Sequence, residues 1–167
     1  MGVEEHRSKA PKSITYAVIT VSDTRTDKDD YSGKAISEIM SAEGHKLARR
    51  AIVKDNVVDI QSQLREVLED PGVQVVILNG GTGIAKRDVT LEAVSHFEEK
   101  TLPGFGELFR MLSFKEIGSA AQMSRATAFL TEGKLVFCLP GSEKAVRFAV
   151  RELIAPEAGH MVWEAQR

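Results

Sequence analysis

Hydrophobic positions along the chain switch between a strand-like and a helix-like period, and the switches mark its elements. Ile14 to Val21 is a largely apolar run that predicts a first strand, closing on Ser22-Asp23-Thr24. From Ser32, Ala35, Ile36, Ile39 and Met40 share one helical face, with Gly44 as the stop. Lys46 to Val53 reads as a second strand ending at Lys54-Asp55-Asn56. Val57, Ile60, Leu64, Val67 and Leu68 then predict a helix, broken by Asp70-Pro71-Gly72. Val75 to Leu78 reads as a strand buried on both faces, and a helix with Leu91, Val94 and Phe97 follows its glycines. Phe105, Leu108, Phe109 and Leu112 recur at i, i+3, i+4 and i+7, a stripe for the core or a subunit interface. Ala126 to Leu130 turns at Glu132-Gly133 into the strand Lys134 to Leu139, a hairpin. A last helix aligns Val146, Ala149, Val150, Leu153 and Ile154 before Pro156. Residues 1–13 are polar and read as a flexible N-terminal arm, leaving 14–167 as a single domain.

Strands alternating with helices predict right-handed βαβ units, an α/β fold whose largely parallel sheet is covered on both faces. Ligands of such sheets bind outside the carboxyl ends of the strands. Here those ends read Ser22-Asp23, Asp55-Asn56, Gly80 to Gly83 and Pro140-Gly141-Ser142, so small and acidic residues gather where a pocket is expected.

Composition narrows the function classes. With 167 residues, 43% hydrophobic and 28% charged, the chain suits one globular domain. A net charge of −2 lacks the basic excess of a general nucleic-acid binder, so nucleic acid is not an expected partner. No apolar run approaches the roughly 20 residues that span a bilayer, and the polar start lacks a secretion signal, so no membrane is expected either. The single cysteine, Cys138, lies in an apolar strand and reads as a buried small hydrophobe, consistent with a reducing, cytoplasmic location. The four histidines show no metal-binding spacing and read as surface or interface residues.

The chemistry concentrates between Asn79 and Thr90. Gly80-Gly81-Thr82-Gly83 presents backbone amides without bulky side chains, and Arg87 and Asp88 follow at a helix start. The spacing is neither the Rossmann fingerprint nor a Walker A loop. Asp88 and Asp55 each precede a helix and read equally well as N-caps or as oxygen ligands holding Mg²⁺ beside a triphosphate. Arg87 is a phosphate partner or a solvated arginine, and Ser142 caps the final helix while offering its amides to a phosphate.

Taken together, these segments resemble the molybdenum-cofactor biosynthesis family containing MoaB and MogA, over about Ile14 to Ile154. The markers are VSD at Val21 to Asp23, GGTG at Gly80 to Gly83, RDVT at Arg87 to Thr90, PGFGE at Pro103 to Glu107, SR at Ser124-Arg125, and LPGS at Leu139 to Ser142. The stretch from Gly104 to Ala126 is most similar to the MoaB branch. The resemblance implies a three-layer α/β/α molybdopterin-binding fold, assembled as a trimer and in the MoaB branch often as a hexamer. It implies a nucleotidyltransferase that adenylylates molybdopterin with Mg-ATP and hands the product to a molybdenum insertion protein. Asp55 and Asp88 would then be the catalytic, Mg²⁺-holding pair. Ser22, Asp23, Gly80, Gly81, Thr82, Gly83, Arg87, Thr90, Ser124, Arg125, Pro140, Gly141 and Ser142 would bind substrate and nucleotide. Some MoaB-branch members lack the aspartate pair and do not catalyse the step; this chain retains both. It departs from the MogA pattern at LPGS, where MogA-like chains have LPGQP. A non-catalytic pterin carrier or scaffold is the other reading.

Overall fold

The computed structural model describes residues 2–167. Six strands form one sheet in the order β2-β1-β3-β6-β5-β4. β1 (Thr15–Val21), β2 (Lys46–Val53), β3 (Val75–Asn79) and β6 (Lys134–Leu139) run parallel. β5 (Thr127–Thr131) returns antiparallel to β6, and a two-residue edge strand, β4 (Lys100–Thr101), follows antiparallel to β5. The pleat divides the core in two. Tyr16, Val18, Val75, Ile77 and Phe137 point to one face, while Ala17, Ile19, Val76, Leu78 and Cys138 point to the other. The first face is covered by α2 (Tyr31–Ala42), α5 (Pro103–Ile117), α6 (Glu143–Ala149) and α7 (Ala158–Ala165). The second is covered by α3 (Val57–Leu68) and α4 (Thr90–Val94). This is the expected three-layer arrangement, and Cys138 is buried within it, its thiol pKa pushed up to about 12 by desolvation.

The predicted bounds of β2 and α3 match the observed elements, because each is flanked by polar turn residues. The stripe on α5 splits: Phe105 and Phe109 are buried, but Leu108 is exposed, as are Met111, Phe114 and Ile117. The final predicted helix runs as α6 into a π turn over Val150–Ile154.

Two segments depart from the sequence reading. The arm expected to be flexible contains a helix, α1 (Val3–Lys9), that contributes no buried residue. It rests on α7 through ion pairs of Arg7 with Glu157 and His6 with Glu164, and through the His6 ring 5.0 Å from Trp163. Hydrophobic periodicity could not reveal a helix held by charge. The second is α7, hidden by Pro156 and Gly159. Gly159 is needed for a close crossing, since a Cβ there would lie 2.1 Å from the Pro11 carbonyl oxygen. His45, grouped with surface histidines, is buried: its Nδ1 accepts from the Ile14 amide, so Nε2 carries the proton donated to the Ala155 carbonyl. Among the described residues no helix is long and apolar enough to cross a membrane.

Candidate functional site

The carboxyl ends of β1, β2, β3 and β6 converge on a cavity of about 290 Å³, lined by Ser22, Asp23, Asp55, Gly80, Gly81, Arg87, Asp88 and Gly141 among others. Its wall is the glycine turn after β3. Gly80 and Gly81 take φ of 99° and 67°, a region that disfavours side chains. A Cβ at Gly81 would also lie 2.2 Å from Thr90 Oγ1 and 3.0 Å from Asp55 Oδ1. Thr90, fully buried, donates from Oγ1 to the Gly80 carbonyl at 2.8 Å and from its amide to the Gly81 carbonyl at 3.0 Å. It therefore braces the turn from behind.

Neither aspartate serves as a helix cap. Asn56 caps α3 by accepting from the Asp59 amide, and α4 has no side-chain cap. Asp88 Oδ2 instead accepts from the Ala85 amide at 2.9 Å, tying the loop that precedes it. Asp55 is positioned by Asp23, whose Oδ1 accepts the Asp55 amide at 3.0 Å. Asp55 Oδ1 is buried without a hydrogen-bond partner. Desolvation holds the Asp55 carboxyl above its ordinary pKa, the charges of Asp88 and Asp23 push the same way, and the Val89 amide and Arg87 oppose them. A buried bare acceptor is costly, and two carboxylates lining one cavity suit a hard divalent cation. Asp55 and Asp88 thus fit Mg²⁺.

A second cavity, of about 360 Å³, adjoins the first and shares Gly81, Asp88 and Gly141 with it. Its lining is chiefly apolar, with Phe109, Ile117, Met123 and Phe148, and its polar groups include Thr82, Ser124 and Lys144. Gly83, Pro140 and Ser142 also face this side, and Ser142 caps α6 as expected. Phe109 and Phe148 stack at 5.2 Å.

Of the residues proposed from sequence, the strand-end and glycine-turn set comes together around these two cavities. Arg125 does not face either. Its Nε donates to the Gly83 carbonyl at 2.9 Å, Nη2 to the Asp88 carbonyl at 3.1 Å, and Nη1 pairs with Glu92. It clamps the loop that carries Asp88, and Thr90 likewise acts behind the wall. Ser22 Oγ accepts from the Thr24 and Arg25 amides, shaping the turn after β1. Sequence reasoning missed the floor of the first cavity. There Asn79 donates to Thr20 at 3.0 Å and Thr20 to Asp30 at 2.9 Å, while Ser32 donates to the Gly141 carbonyl at 2.8 Å. Asp30 is fully buried and caps α2, a sign that could have been read from its position just before Tyr31.

The model of the probable molybdopterin binding domain family matches residues 17–160. Molybdenum cofactor biosynthesis protein B of Bacillus cereus is 48% identical over 168 residues, covering 100% of this chain and 99% of that protein. Its namesake in Bacillus subtilis is 49% identical, with the same coverage. Among solved structures, a crystal structure of molybdenum cofactor biosynthesis protein B has a TM-score of 0.91 at 48% identity, covering 95% of this chain and 99% of that one. The tungsten cofactor synthesizing protein MoaB from Pyrococcus furiosus has a TM-score of 0.86 at 37% identity, covering 95% and 100%.

Proposed function

The chain belongs to the molybdopterin-binding domain family of molybdenum cofactor biosynthesis proteins that includes MoaB, and from that premise we propose that it adenylylates molybdopterin with Mg-ATP. A terminal phosphate oxygen of the pterin forms a bond to the α-phosphorus of ATP. The bond from that phosphorus to the β-phosphate oxygen breaks, and pyrophosphate leaves. The observation that carries this reading is the bare, buried Asp55 Oδ1, beside Asp88 and next to an apolar cavity across a shared glycine wall.

Two anions must be brought together, so the chain's contribution is positioning and charge control. Mg²⁺ held by Asp55 and Asp88 would neutralise charge on the phosphates and on departing pyrophosphate. Asp23 fixes Asp55 through its backbone, and Arg125 and Thr90 fix the loop and turn that carry Asp88 and the glycines. Glycines at 80 and 81 let the phosphates approach the backbone, and exposed Arg87 at the rim supplies a cation. The apolar cavity, lined by Phe109, Met123 and Phe148, offers the surface that would receive a flat ring.

Asp88→Asn tests the reading. Pyrophosphate release should fall by about 10²–10³-fold, the scale of losing one electrostatic contribution to a transition state, while pterin affinity stays near wild type. Full turnover by the variant would remove the proposed role of Asp88. If the wild-type chain binds molybdopterin but releases no pyrophosphate from Mg-ATP, the carrier reading replaces the enzymatic one.

A further inference from the structure

Far along the chain from the strand-end cavities, α1 and α7 bring two imidazoles and a carboxylate together. One donor atom from each of His6, His160 and Glu164 lies within 4.8 Å of the other two. His160 and Glu164 stand four residues apart on α7, hence on one face of it, and His6 arrives from α1. Glu164 Oε1 sits between the imidazoles, in contact with His6 Nδ1 and 3.8 Å from His160 Nε2.

A further observation points to a ligand. His160 Nδ1 donates to Glu157 Oε2 at 2.9 Å, which fixes the ring and leaves the Nε2 lone pair on the Glu164 side. A carboxylate behind the ring is the support that metal-binding histidines commonly have. Arg167 Nη1 donates to both Glu164 oxygens, at 3.0 Å to Oε2 and 3.3 Å to Oε1, and Arg7 pairs with Glu157 Oε1, so a bound ion takes the place of the longer Arg167 contact.

We propose that His6, His160 and Glu164 bind a borderline transition-metal dication of the zinc type, and that the bound ion staples α1 onto α7. Two imidazoles and a carboxylate give three protein ligands and leave a fourth position for water. Modest side-chain rotations bring the donors to the roughly 2.0–2.2 Å that zinc requires. The site differs in kind from the all-oxygen pair Asp55 and Asp88, so the two select different metals.

The test uses the untagged full chain, stripped with chelator and titrated with Zn²⁺ against a chromogenic indicator in excess Mg²⁺. One equivalent should bind per chain, and Co²⁺ should give the visible absorption of a low-coordinate nitrogen–oxygen site. His160→Ala and Glu164→Gln should each abolish the Co²⁺ spectrum, and Glu157→Gln should weaken Zn²⁺ binding by about 10–100-fold. His6→Ala should do the same as His160→Ala with an unchanged far-ultraviolet spectrum of the body, since α1 buries nothing. Asp55→Asn should leave the Co²⁺ spectrum intact. Absence of stoichiometric binding overturns the proposal, as does binding that survives both histidine variants or disappears with Asp55→Asn.

Discussion

The two cavities on either side of the glycine turn share Gly81, Asp88 and Gly141 but are built from opposite chemistries. One is floored by a hydrogen-bonded Asn79–Thr20–Asp30 chain and rimmed by carboxylates; the other is walled by stacked phenylalanines. The polar cavity keeps an acceptor bare, which costs stability until a cation arrives. The apolar one offers surface area, which rewards any flat ring that displaces its water. Reaction across a shared backbone wall is a natural way to bring a polyphosphate and a ring-bearing phosphate together without placing side chains between them.

The wall itself is the largest lever on that division. Gly81→Ala combines a positive φ with a clash against Thr90 Oγ1 at 2.2 Å and a tight approach to Asp55 Oδ1 at 3.0 Å. Strain of roughly 1–3 kcal/mol is expected at such a position. Because both cavities use this residue, we predict that nucleotide and pterin affinity fall together and that turnover is lost, with melting lowered by several degrees. A variant that loses only one ligand in calorimetric titration would show that the cavities do not depend on a common wall.

Next in size is a change confined to the apolar side. Phe148→Ala removes the ring stacked on Phe109. An aromatic contact is worth about 0.5–1.5 kcal/mol beyond its area. KM for the ring-bearing ligand of that cavity should therefore rise roughly 2–13-fold, with the Mg²⁺ concentration giving half-maximal rate unchanged. A shift in the Mg²⁺ dependence instead would mean that the two sides are coupled through more than the glycine turn.

The two sides were unequally legible in the sequence. The polar cavity is made of turn residues at strand ends, where Asp23, Asp55, the glycines and Asp88 interrupt apolar runs, so their convergence followed from the βαβ order alone. The apolar cavity draws Phe109, Ile117 and Phe148 from helix faces, and helical periodicity gives the same signal for a core, an interface or a pocket. Arg125 was expected to be a ligand contact only because the family resemblance implied it, and here it donates to the carbonyls of Gly83 and Asp88 and pairs with Glu92. Helix α1 escaped notice for the reason that its seat is ionic, and β4 because two residues carry no period.

The smallest expected effect sharpens the account of the polar side, and it concerns stability rather than rate. Asp55 has a raised pKa in the folded protein, chiefly through desolvation and then through the charges of Asp88 and Asp23. The folded state therefore holds a proton at this carboxyl more tightly than the unfolded chain does. Its favourable contribution is complete below the ordinary carboxylate range and is lost as pH rises through the raised folded pKa. At pH 7 the ionised Asp55 opposes folding, so Asp55→Asn should raise the melting temperature of the metal-free protein by roughly 1–3 °C, a fraction of what a core substitution changes. Below pH 4 the gain should fade, because the wild-type carboxyl is then neutral as well. Saturating Mg²⁺ should reverse the order at pH 7, stabilising the wild type by mass action and leaving the variant unmoved. A variant that melts lower than the metal-free wild type at pH 7 would mean that Arg87 and the Val89 amide already compensate the charge. The polar cavity would then carry no standing cost for a cation to relieve.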